Sequence, residues 1–294
     1  MRLRDHILEP EFGRPLLMGI LNAGPDSFSD AVRLSTLRAQ LAHARRLVAD
    51  GADLVDVGGE SGVTYTKASP AETEIARVVP VVERLAADGI PVSVDTWKPA
   101  VAAAALDAGA AMINDTSGLR DIALAELCAR TGAGLVVTHT RAAPKQERFP
   151  DYRGDVVGDV VRFLAKRSAA ARAAGVADEQ LVLDPGPDFA KTPAETVEVL
   201  RGIGRLHALR LPLLLAVSRK YFVGAITGRP PADRLAGTLA AVGWAADRGA
   251  AIVRVHDVAQ ADDFLRVRRV LAGAEEVPGF DADDDALKWI RAGG

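Results

Sequence analysis

The sequence is poor in cysteine and has no long apolar run. Its one cysteine, Cys128, cannot form an internal disulfide, which excludes a disulfide-stabilised secreted domain and suits a reducing compartment. Cys128 stands in an apolar helical segment, where a buried structural thiol is expected. No stretch approaches the roughly 20 apolar residues of a membrane span, and the first residues lack the apolar core of a signal peptide. We therefore expect a cytoplasmic protein that does not enter a membrane.

Excess positive charge is also lacking, since the formal net charge is −3 at pH 7. Without a broad basic field, a nucleic acid is not an expected partner, although a net charge of −3 leaves room for a local cationic pocket. The sequence has no Walker A motif, no G-x-G-x-x-G opening a helix, no nucleophile elbow and no zinc-type pairs of histidine or cysteine. Any phosphate must therefore be bound by side chains and loop amides.

What the chain does have is one unit repeated eight times: a short apolar run, a polar residue, a loop, an amphipathic helix and a glycine. The polar residues are Asn22, Asp56, Asp95, Asn114, His139, Asp184, Ser218 and His256. Such runs predict strands buried on both faces, as in a parallel sheet covered by helices. Their mean spacing of about 33 residues suits one strand–helix unit.

Polar residues at every strand end favour a closed (β/α)8 TIM barrel over an open doubly wound sheet. A barrel gathers the carboxyl ends of all its strands into one mouth, where polar groups have a use. We expect one domain over 1–294, with 278–294 as a polar tail whose aspartates are solvated.

Two kinds of local sequence signal predict the helix boundaries: glycines at the C-termini and capping boxes at the N-termini. Glycines expected to end helices in the left-handed conformation are Gly51, Gly89, Gly109, Gly132, Gly175, Gly202, Gly249 and Gly273. Two capping boxes with proline at the first helical position are predicted to begin helices, one from Ser69 to Glu72 and one from Thr192 to Glu195.

The predicted mouth combines two chemical groups. Asp95, Asn114 and Asp184 suit a flat heterocycle with an amidine-like edge, because a carboxylate binds two adjacent N–H groups together. Arg254 and His256 lie two apart on a strand and point the same way. With Asn22 they are suited to a pyrophosphate, and Asn22 with phosphate oxygens to Mg²⁺. Each residue alone is more often a cap or a loop partner, so the prediction depends on the set.

Seven segments, spread from about Leu16 to Val270, resemble the dihydropteroate synthase family. In chain order they are LNAGPDSFSD, GADLVDVGGES, SVDTWK, GAAMINDTSGL, LDPGPDFAKT, SRK and RVHDV. The resemblance implies condensation of 6-hydroxymethyl-7,8-dihydropterin pyrophosphate with 4-aminobenzoate, which gives 7,8-dihydropteroate and pyrophosphate in folate biosynthesis. It also implies Mg²⁺ as cofactor and a homodimer.

The resemblance assigns roles to particular residues. Those implied to bind the pterin are Asp56, Asp95, Asn114, Asp184 and Lys220. Those implied to bind pyrophosphate are Asn22, Arg254 and His256, with Asn22 also on the metal, and those on the aminobenzoate side are Phe189, Ser218 and Arg219. The residues implied to be catalytic are Lys220, Arg254, His256 and Asp95.

The sequence departs from the family pattern in its loops. Ala23-Gly24 follows Asn22, Gly62-Val63-Thr64-Tyr65 follows Ser61 without the usual arginine and proline, and Thr138-His139-Thr140-Arg141 replaces a methionine-flanked histidine. Because mobile loops assemble the second-substrate site, a paralogue that binds pterin but uses another amine, or is inactive, is the alternative. A Schiff-base lyase using Lys220 and a corrinoid-linked methyltransferase are less favoured.

Arg141 or Lys67 is a candidate for the cation that the second loop lacks. If Arg141 takes this role, Arg141→Ala should raise the KM for 4-aminobenzoate, measured by steady-state kinetics. An unchanged KM would discard the assignment.

Overall fold

The structure, a computed structural model, describes residues 1–24, 36–60 and 67–277. Two two-residue strands, β1 (Arg2–Leu3) and β2 (His6–Ile7), pair antiparallel as a hairpin. The remaining strands are β3 (Leu16–Asn22), β4 (Leu54–Gly58), β5 (Val92–Asp95), β6 (Met112–Asp115), β7 (Gly134–Thr138), β8 (Leu181–Asp184), β9 (Leu214–Leu215) and β10 (Ile252–Val255). The predicted tail 278–294 lies outside the described residues.

Helices alternate with these strands. They are α1 (Leu37–Ala49), α2 (Ala71–Ala87), α3 (Pro99–Asp107), α4 (Ala123–Thr131), α5 (Val156–Ala173), α6 (Pro193–Arg201), α7 (Tyr221–Thr227), α8 (Leu235–Asp247) and α9 (Val258–Leu271). None of the helices in the described ranges is long and apolar enough to cross a membrane.

The other eight strands, β3 to β10, form one parallel sheet in the order β8-β7-β6-β5-β4-β3-β10-β9. The two end strands meet through a parallel bridge between Leu183 and Leu213, where the Leu183 amide donates to the Pro212 carbonyl at 2.9 Å. The predicted (β/α)8 barrel and its eight strands are therefore confirmed. β9 is shorter than its apolar run, so Ser218 lies in the loop beyond it.

The barrel interior is an apolar layer under a polar one. The apolar layer contains Met18, Leu54, Met112, Val136, Val182, Leu214 and Ile252, and Leu3 of the hairpin packs in the same cluster. Side chains two positions apart on a strand share a face. The next inward positions are therefore polar on most strands: Asp56, Asn114, Thr138, Asp184 and Arg254. This order places the polar layer at the carboxyl ends of the strands.

The left-handed conformation predicted for the glycines at helix ends is confirmed for most of them, but not for all. Seven of the eight glycines have positive φ, but Gly202 has φ −86° because the chain continues into a 3₁₀ turn, Ile203–Leu209. The left-handed residue there is Arg210, with φ 54°. Glycine at 202 instead gives space, since a Cβ would lie 2.7 Å from a Val157 methyl.

The two predicted capping boxes have opposite outcomes. At α6 the Thr192 hydroxyl accepts from the Glu195 amide at 3.3 Å, and the Glu195 carboxylate accepts from the Thr192 amide at 2.8 Å. At α2 the prediction was wrong, because Pro70 occupies the N-cap and no side chain caps the helix. The Ser69 amide donates to Glu60 Oε1 at 3.0 Å instead.

This difference predicts the stability of two matched variants. Thr192→Ala should lower the free energy of unfolding by about 1 kcal/mol, because it removes the acceptor of a formed cap. Ser69→Ala should change it by less than about 0.5 kcal/mol. Urea unfolding of both variants measures this, and equal losses would contradict the assignment of the caps.

Candidate active site

A hydrogen-bonded charge cluster occupies the mouth of the barrel. Arg254 donates from Nε to Asp56 Oδ2 at 2.6 Å and from Nη2 to Asp95 Oδ2 at 3.2 Å. Asn114 Nδ2 donates to the same Asp56 oxygen at 3.1 Å. Four residues from β4, β5, β6 and β10 are thus brought together, although Asp56 and Arg254 are 198 positions apart.

The charged groups of this cluster have different surroundings, which shift their pKa values in different ways. Burial raises the pKa of Asp95 to about 7, and nearby Asp56 and Glu74 add to the effect while Arg254 opposes it. Burial lowers the pKa of Arg254, but the attraction of Asp56 and Asp95 outweighs it, so the net shift is upward. Asp56 holds the shorter contact to Arg254. The proton affinity of Asp95 is therefore increased.

Asp184 ends β8 beside this cluster. Burial raises the pKa of Asp184, and the bond from the Gly186 amide to its Oδ1, at 2.7 Å, partly offsets the shift. Burial likewise lowers the pKa of Lys220, with Asp188 and Asp184 opposing. The site thus holds carboxyl and ammonium groups largely removed from water, where electrostatic contacts with a ligand are strong.

Several polar atoms at the mouth have no partner in the structure. The described residues contain five such buried side-chain atoms, of which four belong to barrel strands: Asp56 Oδ1, Ser93 Oγ, Asn114 Oδ1 and Thr138 Oγ1. Buried polar groups in folded proteins are usually hydrogen-bonded, so such a concentration is typical of a ligand site.

A pocket of about 180 Å³ opens beside the charge cluster. Its lining includes Trp97, Thr116, Lys145, Phe189 and Lys220. The Lys220 ammonium lies 4.6 Å from the centroid of the Phe189 ring, a cation–π arrangement. The loop that carries Phe189 has positive φ at the residues on either side of it, 64° at Asp188 and 52° at Ala190. This pocket has one aromatic face and one cationic group.

The remaining predicted residues lie around the same rim. Ser218 Oγ lies 2.9 Å from His256 Nδ1. Arg219 donates from Nη2 to Asp257 at 2.6 Å and from Nε at 3.1 Å, so its guanidinium is tied to that carboxylate. Asn22 ends β3 in register with Gly58, which in turn is in register with Asp95.

A sequence model of the family described as pterin binding enzyme matches residues 18–256. The chain belongs to the pterin-binding enzyme family. The match includes every site residue named above except Asp257, and the family resemblance read from the sequence is thereby confirmed.

Curated relatives of this pterin-binding enzyme are dihydropteroate synthases. The type-2 dihydropteroate synthase of Escherichia coli is 40% identical over 87% of this chain and 96% of its own length. The "Probable bifunctional folylpolyglutamate synthase/dihydropteroate synthase" of Haloferax volcanii is 43% identical over 91% of this chain, and the matched region is 31% of that protein.

Solved structures give the same family. Dihydropteroate synthase of Xanthomonas albilineans with 4-aminobenzoic acid superposes with a TM-score of 0.82 at 44% identity, covering 90% of this chain and 94% of that one. Its complex with 7,8-dihydropteroate gives a TM-score of 0.79 at 42% identity, covering 91% and 96%.

A buried network behind the mouth was not predicted from the sequence. Lys191, 1% exposed, donates to His139 Nδ1 at 2.8 Å and to the carbonyls of Gly186 at 2.8 Å and Phe189 at 3.1 Å. His139 Nε2 lies 3.0 Å from Asp159, which also accepts from Arg141 at 3.0 Å. Lys191 therefore ties the loop carrying Phe189 to the end of β7 in this pterin-binding enzyme.

A second cluster at the rim was also missed. Lys98 donates to Glu60 at 2.6 Å, to Glu74 at 2.7 Å and to the Ser69 carbonyl at 2.7 Å, and Lys145 lies 3.2 Å from Glu60. Lys98 is part of the SVDTWK segment, but nothing in that segment indicates partners on α2 and beyond β4. The cluster holds Glu60 and Ser69, which stand on the two sides of the second loop, close together.

The buried His139 predicts an acid sensitivity. Burial, with Lys191 and Arg141 nearby, lowers the pKa of His139 to about 2, against roughly 6.5 in an unfolded chain. Its neutral form contributes stability above pH 6.5 that is lost as the pH falls towards 2, because only the unfolded chain takes up the proton. His139→Gln should therefore reduce the loss of unfolding free energy between pH 7 and 5 by about 2 kcal/mol.

Urea unfolding at the two pH values measures this difference. His207→Gln replaces an exposed histidine and serves as the matched control, which should keep the wild-type dependence. Parallel profiles for wild type and His139→Gln would show that His139 does not resist protonation in the fold.

Proposed function

We propose that the chain is a dihydropteroate synthase, which joins 6-hydroxymethyl-7,8-dihydropterin pyrophosphate to 4-aminobenzoate and releases 7,8-dihydropteroate and pyrophosphate. The assignment is supported by relatives at about 40% identity over most of the chain. The observation that carries it is the mouth cluster of Arg254 with Asp56, Asp95 and Asn114. It combines carboxylate and amide groups for a heterocycle with a cation for a diphosphate.

Asp95, Asn114, Asp184 and Lys220 are proposed to bind the pterin ring. The first three present carboxylate and amide oxygens to its N–H groups, which a planar amidine edge matches in pairs. Lys220, above the Phe189 ring, donates to an acceptor of the heterocycle. Asp56 supports the site from below by holding both Arg254 and Asn114.

Arg254, His256 and Asn22 are proposed to bind the pyrophosphate. As the C–O bond to the leaving group breaks, negative charge grows on its oxygens, and a permanently charged guanidinium placed there stabilises it. Departure leaves a methylene cation conjugated with the pterin, which the amine of 4-aminobenzoate attacks. Positioning and charge stabilisation therefore contribute more than a general base.

Magnesium fits this donor set. The described residues contain no group of three histidine, cysteine or acidic side chains arranged to hold a metal, but Mg²⁺ commonly takes one or two protein oxygens together with substrate phosphates. The Asn22 amide oxygen is a donor of this kind. We propose that Asn22 would hold the ion, which when bound would neutralise charge on the diphosphate.

Phe189, Ser218 and Arg219 are proposed to lie on the aminobenzoate side. Ser218 is held by its contact with His256, and Arg219 by Asp257. The departure at Gly62-Val63-Thr64-Tyr65 lies in segment 61–66, which, like 25–35, is outside the described residues. The altered loop sequences favour one second candidate, a paralogue that binds pterin but uses another amine or does not turn over.

Three wider expectations belong to the same proposal. One domain over 1–294 is supported by the single sheet that contains all eight parallel strands. A homodimer is supported by an apolar groove of about 340 Å³ between α6, α7 and α8, whose lining includes Ile226, Ala240 and Trp244. Cytoplasmic residence stays a prediction from the sequence.

Pyrophosphate release from purified protein tests the function. Release should require both 4-aminobenzoate and the pterin pyrophosphate, and should fall when Mg²⁺ is chelated. Arg254→Gln should lower kcat by about 10²- to 10³-fold, because a charged donor to the leaving group is lost. Arg254→Lys should recover only part of the activity, since it keeps the charge but loses the two-pronged contact.

Arg162→Gln, at an exposed arginine on α5, is the matched control and should behave as wild type. All variants are first shown to be folded at the assay temperature by circular dichroism. Tight binding of the pterin pyrophosphate without any release would select the paralogue, and neither binding nor release would reject both candidates.

A further inference from the structure

Thr138 has a buried hydroxyl that bonds nothing in the protein. It is the last residue of β7 and is fully buried, and its Oγ1 has no hydrogen-bond partner. A strand-end threonine usually satisfies its hydroxyl on a neighbouring carbonyl or side chain. The neighbouring Thr140 does so, since its hydroxyl bonds to the Ala142 backbone.

The register places Thr138 in the polar layer of the mouth. Val136 belongs to the apolar layer inside the barrel, and a residue two positions later faces the same side. Thr138 is in direct register with Asp184 on β8, and Val136 with Asn114 on β6. Neighbouring strands lie about 4.8 Å apart. Thr138 is therefore adjacent to Asp184, on the strand between Asp184 and Asn114.

The fold gains nothing from this hydroxyl. Burying a hydroxyl without a partner is unfavourable, and valine has nearly the same shape without that penalty. The Thr138 Cγ2 methyl lies close to Gly186, since a Cβ built on Gly186 would be 3.3 Å from it, and valine would keep this methyl group. A ligand bound in the mouth would supply the partner that this oxygen lacks in the protein.

Ser93, the other unpartnered hydroxyl on a barrel strand, differs in depth. It precedes Asp95 by two positions on β5 and is in register with Asp56 on one side and with Met112 of the apolar layer on the other, whereas Thr138 ends its strand in register with Asp184. Thr138 is thus the hydroxyl next to Asp184, a proposed ring-binding carboxylate. It also stands in the segment where the sequence departs from the methionine-flanked histidine of the family pattern.

We propose that Thr138 is a pterin-binding residue, whose hydroxyl hydrogen-bonds the polar edge of the ring next to the groups bound by Asp184. The inference rests on the proposed function, because it takes the pterin to be the ligand of the mouth. It adds to that function a polar contact specific to this chain. The contact bears on the pterin and not on the aminobenzoate side, which carries Phe189, Ser218 and Arg219.

Titration calorimetry with pterin pyrophosphate and Mg²⁺ tests this on three variants. Thr138→Val should weaken binding about five- to tenfold, the effect of losing one neutral hydrogen bond. Thr138→Ser keeps the hydroxyl and should bind within about twofold of wild type. Thr131→Val makes the same change on α4, where the hydroxyl bonds Leu127, and should leave affinity unchanged.

Two further readouts separate ligand binding from structure. The KM for the pterin substrate should rise in Thr138→Val while the KM for 4-aminobenzoate stays the same. Without ligand, the Tm of Thr138→Val should equal or exceed that of wild type, because an unpaired buried hydroxyl is removed. A merely structural threonine would lower the Tm and leave affinity alone.

Wild-type protein is measured first, so that two failures remain distinct. If wild type binds the pterin pyrophosphate and Thr138→Val binds it equally well, the role of Thr138 is overturned and the proposed function stands. If wild type does not bind it, the proposed function is overturned, and the role of Thr138 with it.

Discussion

The contact between Arg254 and Asp56 organises the mouth of this barrel. It links β10 to β4 across the sheet, at 2.6 Å, with the Asp56 carboxylate completely buried. A buried ion pair adds little net stability, because the cost of removing both charges from water offsets their attraction, but losing one partner is severely destabilising. The pair is therefore better explained as a device for placing a guanidinium than as a source of stability. Asp95 and Asn114 take their positions around it.

Around this pair, buried cations hold the loops that complete the site. Lys191 fixes the Phe189 loop through two carbonyls and His139, and Lys98 fixes the base of the second loop through two glutamates. Each ammonium replaces water with three or more protein acceptors, which compensates for its burial. Binding residues on loops are thereby positioned almost as firmly as those on strands, as a preorganised site requires.

Some side-chain atoms in the polar layer above the apolar core have no hydrogen-bond partner. Their positions indicate where a ligand would bind. Asp56 Oδ1, Asn114 Oδ1 and Thr138 Oγ1 all belong to the ring of side chains at the carboxyl ends of the strands. Elsewhere in the described residues, the atoms without a partner are confined to Ser93, one layer deeper, and Glu74 on α2. Incomplete hydrogen bonding is thus concentrated where a planar heterocycle is proposed to bind.

By itself the sequence determined the eight strands, the barrel and most of the polar residues at its mouth. These features follow from local periodicity and from the rule that the carboxyl ends of parallel strands meet at one edge. Both can be applied to a single sequence. Tertiary structure alone decided that His139 turns away to Lys191 and Asp159 and that Arg219 pairs with Asp257. It also decided that Gly202 caps α6 close to Val157 without the left-handed conformation. Such contacts join residues distant along the chain or on neighbouring loops, and their geometry depends on how helices pack around the barrel, which no local pattern encodes.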